Sequence, residues 1–226
     1  MQQFLSSINF CLRNIGYIFI LCLPVMTLEV ILANLVASLD IQSSSDSAAL
    51  EAISEVSGQF FLLIIASLIF SVALSGGCMV AFDSLSNGNS VSPYQALFAG
   101  LNKFFPLLWA NILHSLAYGL GFLLLILPGF YLYARLGLFP LFIMFEKKSA
   151  MDSLGESWRL TEEVAIKLFF LTSTFMGIQL IFGFFGGMVS IDGGLLFLII
   201  TTAIKYATLM PLFYLFFSLY KSVRKQ

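Results

Sequence analysis

Six apolar runs, each long enough to cross a bilayer, set the limits on what this chain folds into. A helical span needs about 20 consecutive apolar residues, and the runs lie at 15–38, 59–82, 104–127, 129–145, 164–189 and 195–220, the fourth being the shortest. In a lipid core the backbone must satisfy its own hydrogen bonds, so each run reads as a helix. Composition agrees: 59% of residues are hydrophobic and 10% charged, against about half and a quarter in soluble domains. Six helices and their links take up most of the 226 residues, so the expectation is one integral membrane domain, 1–226, with no separate soluble part.

The cations orient the chain. Of the 11 Lys and Arg residues, Arg13, Lys103, Lys147, Lys148, Arg159, Lys167, Lys221, Arg224 and Lys225 fall at or near one face, and only Arg135 and Lys205 lie within spans. The other face carries Asp40, Asp46, Glu51, Glu55 and Asp192 instead, in a Ser-rich loop at 39–58 and a short turn at 190–194. Basic residues near spans stay cytoplasmic, which predicts that both termini are cytoplasmic. The net charge of -1 hides this dipolar arrangement; it provides nothing basic enough for nucleic acid and only a modest cationic rim for anionic lipid. The first run is too long for a secretory signal and no small-x-small site closes it, so it reads as a retained span. Cys11, Cys22 and Cys78 are odd in number and absent from the outer loop. They read as apolar packers, not as a disulfide framework or metal cluster.

Internal similarity points to repeated hairpins. LFPLFIMF (Leu138 to Phe145) and LMPLFYLF (Leu209 to Phe216) match, each with a cation upstream, Arg135 or Lys205. Each copy follows a short amphipathic segment. Ser92, Pro93 and Gln95 form a capping-box start ahead of a face made by Tyr94, Leu97, Phe98 and Leu101. Ser149 and Asp152 start a second segment, with Met151, Leu154 and Trp158 in one stripe; Phe4, Ile8, Cys11, Leu12 and Ile15 suggest a third. Such segments lie in the headgroup layer as connectors, lipid sensors or docking faces. Two spans per unit make the repeats parallel, unlike the inverted repeats of many alternating-access transporters. Small-xxx-small steps at Ser115 and Gly119 and at Gly183 and Gly187, with Ser75, Gly76 and Gly77, suit close backbone approach within the bundle, across a homo-oligomer or against other membrane proteins.

The charges inside the membrane are the candidate site. At about 1.5 Å per residue, Glu29, Arg135 and Lys205 lie roughly 13, 10 and 15 Å below the outer ends of their spans, close enough in depth to meet. An unpaired ion there costs about 3 kcal/mol on insertion scales, so a carboxylate beside one or both cations is the natural solution. Pro140 and Pro211 are candidate helix kinks that free the carbonyls of Leu136 and Ala207. Two readings stand for the cluster: a structural ion pair, or a hydrated site for an anionic headgroup or solute. His114, the only histidine, reads as hydrogen-bonded to a neighbouring helix ahead of a proton relay.

Catalytic signatures are missing from the residues. One histidine and no HExxH give no histidine zinc site, and no GxSxG, P-loop or dinucleotide fingerprint is present. Asp152 and Glu156 share a helix face but occupy a solvated position unsuited to a catalytic pair. The run from Leu125 through Glu163, LILPGFYLYARLGLFPLFIMFEKKSAMDSLGESWRLTEE, has a span opening on Pro-Gly, an apolar helix ending in an acidic residue, and a helix of S-x-R-L-T type at Ser157 to Thr161. It resembles the characteristic segment of the YciC family of uncharacterised bacterial inner-membrane proteins. SGG at 75–77, the polar loop to Ala99 and the closing LFYLFFSLYKSVRKQ fit the same family. The resemblance implies an inner-membrane location and brings no catalytic residues with it; Arg135 is outside its motifs.

The sequence thus predicts an all-α membrane protein of six transmembrane helices in three hairpins, units of about 1–82, 83–145 and 146–226, each preceded by a cytoplasmic interfacial helix. No enzyme activity, cofactor or metal is expected. The function is a structural or accessory envelope role in contact with membrane lipids or other membrane proteins. The alternative is a small transporter or lipid-handling protein that binds an anionic group at Glu29, Arg135 and Lys205.

Overall fold

A computed structural model describes residues 2–38, 46–89, 91–189 and 194–224. They form α1 (Gln2–Arg13), α2 (Ile15–Ser38), α3 (Asp46–Ser86), α4 (Pro93–Leu101), α5 (Phe104–Leu124), α6 (Ile126–Leu136), α7 (Phe139–Phe145), α8 (Ala150–Leu160), α9 (Ala165–Val189) and α10 (Gly194–Arg224). No strand occurs among the described residues. Six stretches are long and apolar enough to span a membrane: Ile15–Val36, Gly58–Ser86, Phe104–Leu124, Ile126–Phe145, Ala165–Gly183 and Gly194–Arg224. Asp40, Asp192 and Lys225 lie outside the described residues.

Two stretches differ from the sequence expectation. Residues 46–58, read as part of a Ser-rich loop, continue α3 backwards into a helix of 41 residues, because the segment DSAALEAISEVSG contains enough Ala, Leu and Glu to carry helix beyond the span. The fourth span is not one kinked helix but two, α6 and α7, separated at Gly137 and Leu138. Pro140 sits in the first turn of α7, where its missing N–H costs nothing. Pro211, in the matching octapeptide, lies inside the continuous α10.

The main core is built where α2, α3, α7 and α10 meet, around Leu21, Met79, Phe82, Phe142, Phe216 and Phe217, all almost fully buried. A packed apolar interior in lipid holds by shape rather than by exclusion of water, and two glycines decide how closely helices come. A Cβ on Gly100 would lie 2.0 Å from the Ala73 carbonyl oxygen, and one on Gly77 2.9 Å from the Ala96 carbonyl oxygen, so α4 seats directly on the α3 backbone. Gly119 and Gly183, by contrast, have no such neighbour among the described residues. α1 lies along α10, with Phe10 stacked on Tyr214 at 3.8 Å between ring centroids. The three cysteines are free thiols; burial pushes Cys11 up to about 12, which keeps it protonated and inert.

Candidate functional site

Glu29 and Lys205 meet. The Lys205 ammonium donates to both Glu29 carboxylate oxygens at 2.9 Å, and the Tyr206 hydroxyl donates to Oε1 at 2.9 Å. α2 and α10 bring them together because α10 packs on both α2 and α9. The pair is not sealed: the side chain of Lys205 is 48% exposed and that of Glu29 22%. Both line an open cleft of about 510 Å³ with Gln179, Thr201 and Thr202. Beside it runs an apolar groove of about 400 Å³ whose lining includes Ile18, Cys22, Met26, Phe175, Ala203 and Tyr206. The arrangement is a polar recess lined by α2, α9 and α10 with a hydrophobic groove alongside that α1 lines as well.

Arg135 is not part of that cluster. It is 4% exposed and donates from one terminal nitrogen to the Trp158 carbonyl at 2.6 Å and from the other to the Tyr131 hydroxyl at 3.2 Å. Its guanidinium lies 4.1 Å from the centre of the Trp158 ring. Trp158 is in the last turn of α8, whose carbonyls carry partial negative charge, so a helix end and an aromatic face do for Arg135 what a carboxylate does for Lys205. Its Nε has no partner among the described residues. On a straight span Arg135 would lie at the depth of Glu29 and Lys205; α6 stops one residue after it and delivers it to α8 instead.

The contact is reciprocal. Ser157 of α8 donates its hydroxyl to the Arg135 carbonyl at 2.7 Å and accepts from the Leu138 N–H at 3.1 Å. The Thr161 hydroxyl, which donates at 2.8 Å to the Ser157 carbonyl, also lies 3.2 Å from the Arg135 carbonyl. The carbonyl released at the break is thus chiefly that of Arg135, one residue before the Leu136 expected from Pro140, and the Ser157 hydroxyl satisfies it. Neither Ser157 nor Thr161 has any exposed surface. His114, also buried, approaches the Tyr133 carbonyl at 3.4 Å across the α5–α6 pair.

A network at the basic end of the bundle escaped the sequence reading. Glu146, just after α7, receives Tyr220 and Arg224 of α10 and lies 3.4 Å from Lys148. Lys148 is 2.8 Å from Glu156 of α8, which also pairs with Arg159 at 2.8 Å. Lys221 reaches Asp83 of α3 at 2.8 Å. The one clue was an acidic residue closing an apolar helix. The hydrogen bond from Lys148 holds the Glu156 carboxyl below the usual range, and the same bond raises Lys148. A lowered carboxylate stabilises above its ordinary value, about 4.3, and a raised lysine below its own, about 10.4. The contribution of this pair is therefore flat between those limits, lost as pH falls through the lowered Glu156 value or rises through the raised Lys148 value. Difference melts of Glu156→Gln against the parent should show a small, pH-independent gap from pH 6 to 9 that closes in acid.

No family model matches the chain, and no solved structure matches it. Among curated proteins it is 30% identical over 95 residues to a UPF0259 membrane protein of Pectobacterium carotovorum, covering 42% of this chain and 38% of that protein. It is 30% identical over 97 residues to a UPF0259 membrane protein of Photorhabdus laumondii, covering 43% and 38%. UPF0259 is the YciC family. The similarity and the six apolar helices make this chain a multi-pass membrane protein that resembles that family. It spans less than half the length of the relatives it matches. The Leu125 to Glu163 segment that carries the YciC resemblance is the one that forms the broken span and its clasp, so the S-W-R-L-T run has a physical task here: its first residue, Ser157, bridges the Arg135 carbonyl and the Leu138 N–H.

Proposed function

We propose that this is a non-enzymatic accessory protein of the bacterial inner membrane that retains a lipid headgroup at the Lys205–Glu29 cleft. The observation that carries the reading is an ion pair inside a span that opens on a polar recess with an acyl-sized groove beside it. The Lys205 ammonium has three donors, and two are used by Glu29; the third favours an acceptor such as a phosphate or ester oxygen. Arg135, already bonded and buried, takes no part in binding. In this reading the termini are cytoplasmic, in keeping with the cations gathered at one face.

Three units, about 1–82, 83–145 and 146–226, each begin with a helix in the cytoplasmic headgroup layer: α1, α4 and α8. Support comes from which faces those helices hide. α8 buries Ala150, Ser153 and Ser157 while Met151 is 65% and Trp158 41% exposed; α4 buries Ala96, Leu97 and Gly100 while Tyr94 is 68% and Phe98 62% exposed. Leu97 apart, small residues face the protein and large apolar ones face outward, the pattern of a helix lying in an interface. Both helices start on a side-chain cap, Ser92 with Gln95 and Ser149 with Asp152.

The test is native mass spectrometry of protein extracted with its lipids. The parent should carry a phospholipid, and Lys205→Leu in a Glu29→Leu background should carry about tenfold less while still inserting. Equal lipid on both proteins would leave the pair with a purely architectural role.

A further inference from the structure

The turn between α5 and α6 contains no polar side chain. From Gly119 to Phe130 the chain reads GLGFLLLILPGF, and Leu123, Leu124, Leu125, Ile126 and Leu127 are 64–84% exposed. The sequence expected acidic, Ser-rich chain in the 39–58 and 190–194 connections at the same end, and this turn has none of it. Nor does it carry an interfacial aromatic: Tyr118 and Tyr131 lie seven and six residues from Leu125 along the two legs, roughly 9 to 10 Å.

This hairpin is also short. α5 has 21 residues, about 31 Å, against 24 in α2 and 25 in α9, about 36 and 37 Å. The return leg is α6 with 11 residues and α7 with 7, interrupted at Gly137 and Leu138. A hydrocarbon core is about 30 Å thick and helices tilt by about 20°, so a leg of this length that starts in the basic interface ends at or inside the far boundary. The reversal is correspondingly tight. Leu125 alone is non-helical, its N–H donating to the Gly121 carbonyl at 3.0 Å. Below it, a Cβ on Gly121 would fall 2.9 Å from Gly129 and one on Gly129 2.4 Å from the Phe122 ring, so only glycines let the legs close. Pro128, in the first turn of α6, has no N–H to leave unsatisfied.

We infer that the α5–α6 turn ends within the lipid leaflet opposite the termini, just under the headgroups, with Leu123 to Leu127 against acyl chains. The occupant of this surface is lipid, because a turn without polar atoms on its side chains, five residues of open apolar surface and a hairpin too short to emerge all demand the same environment. The remaining free backbone groups of the two helix ends face the glycerol-ester layer, which can satisfy them. The hairpin then contributes no aqueous loop.

The experiment is a spin label on Leu125→Cys, with Leu127→Cys as a second site, in vesicles of phosphatidylethanolamine and phosphatidylglycerol; the unmodified chain reports background labelling of its own thiols. Relaxation by oxygen should be strong, and relaxation by a water-soluble nickel chelate should be at least about tenfold weaker than for the same label at exposed Asn89. Strong nickel relaxation at both sites would put the turn in water and overturn the inference. Shielding from both oxygen and nickel would mean a second protein surface covers it, and would overturn it too.

Discussion

Ser157→Ala should lower the stability of the bundle by about 2–4 kcal/mol, more than a buried serine outside any helix break would cost. The hydroxyl has two jobs across the interruption of the fourth span: it donates to the Arg135 carbonyl and accepts from the Leu138 N–H. Removing it orphans the N–H outright, at about 1–3 kcal/mol, and leaves the carbonyl with the longer Thr161 contact alone. No water is at hand to substitute, because Ser157, Thr161 and Leu138 have no accessible surface. Thr161→Val keeps the principal donor and should cost about 1 kcal/mol. The double change should cost more than the sum, since each hydroxyl backs up the other on one carbonyl. Unfolding in mixed micelles, followed by loss of helical circular dichroism, measures all three. A Ser157→Ala protein that unfolds with the parent would show that the break satisfies itself by other means.

How much of this was legible depends on whether a feature is local. The spans follow from runs of about 20 apolar residues, and the Ser92–Gln95 box from four adjacent residues, so both could be read directly. Glu29 and Lys205 were also within reach, because an ion inside a span needs a counter-charge and few were available. The broken fourth span was not. Pro140 and Pro211 sit in near-identical octapeptides, yet only the first follows a helix end. The difference rests on Gly137, against whose Cα the Phe216 ring packs so closely that a Cβ would lie 2.6 Å from it, and on a hydroxyl 17 residues beyond Pro140. Arg135 was misplaced for the same reason. A carboxylate is visible in a sequence, whereas the carbonyl end of α8 and the face of Trp158 become partners only once the chain has turned back. The basic-end network depends on Tyr220 and Arg224 meeting Glu146 from more than 70 residues away in sequence.

Glu29→Leu should be the most damaging single change among the charged residues, and the damage should be reversible. It leaves the Lys205 ammonium, 48% exposed in its side chain, inside a span with no counter-ion. An unpaired cation at the helix centre costs about 3 kcal/mol, and the protein should accumulate poorly. Lys205→Leu is the milder partner change, because Glu29 keeps the Tyr206 hydroxyl. Replacing both removes the need for neutralisation, and apolar pairs commonly substitute for buried ion pairs without loss. The double variant should return to within about 1 kcal/mol of the parent, giving a coupling of about 2 kcal/mol or more across the cycle. Additive single effects would mean that Lys205 finds its acceptor in lipid and not in Glu29. The same double variant separates architecture from binding: a restored bundle that no longer retains phospholipid assigns the cleft to the ligand, and a restored bundle with its lipid intact assigns the pair to holding α2 on α10.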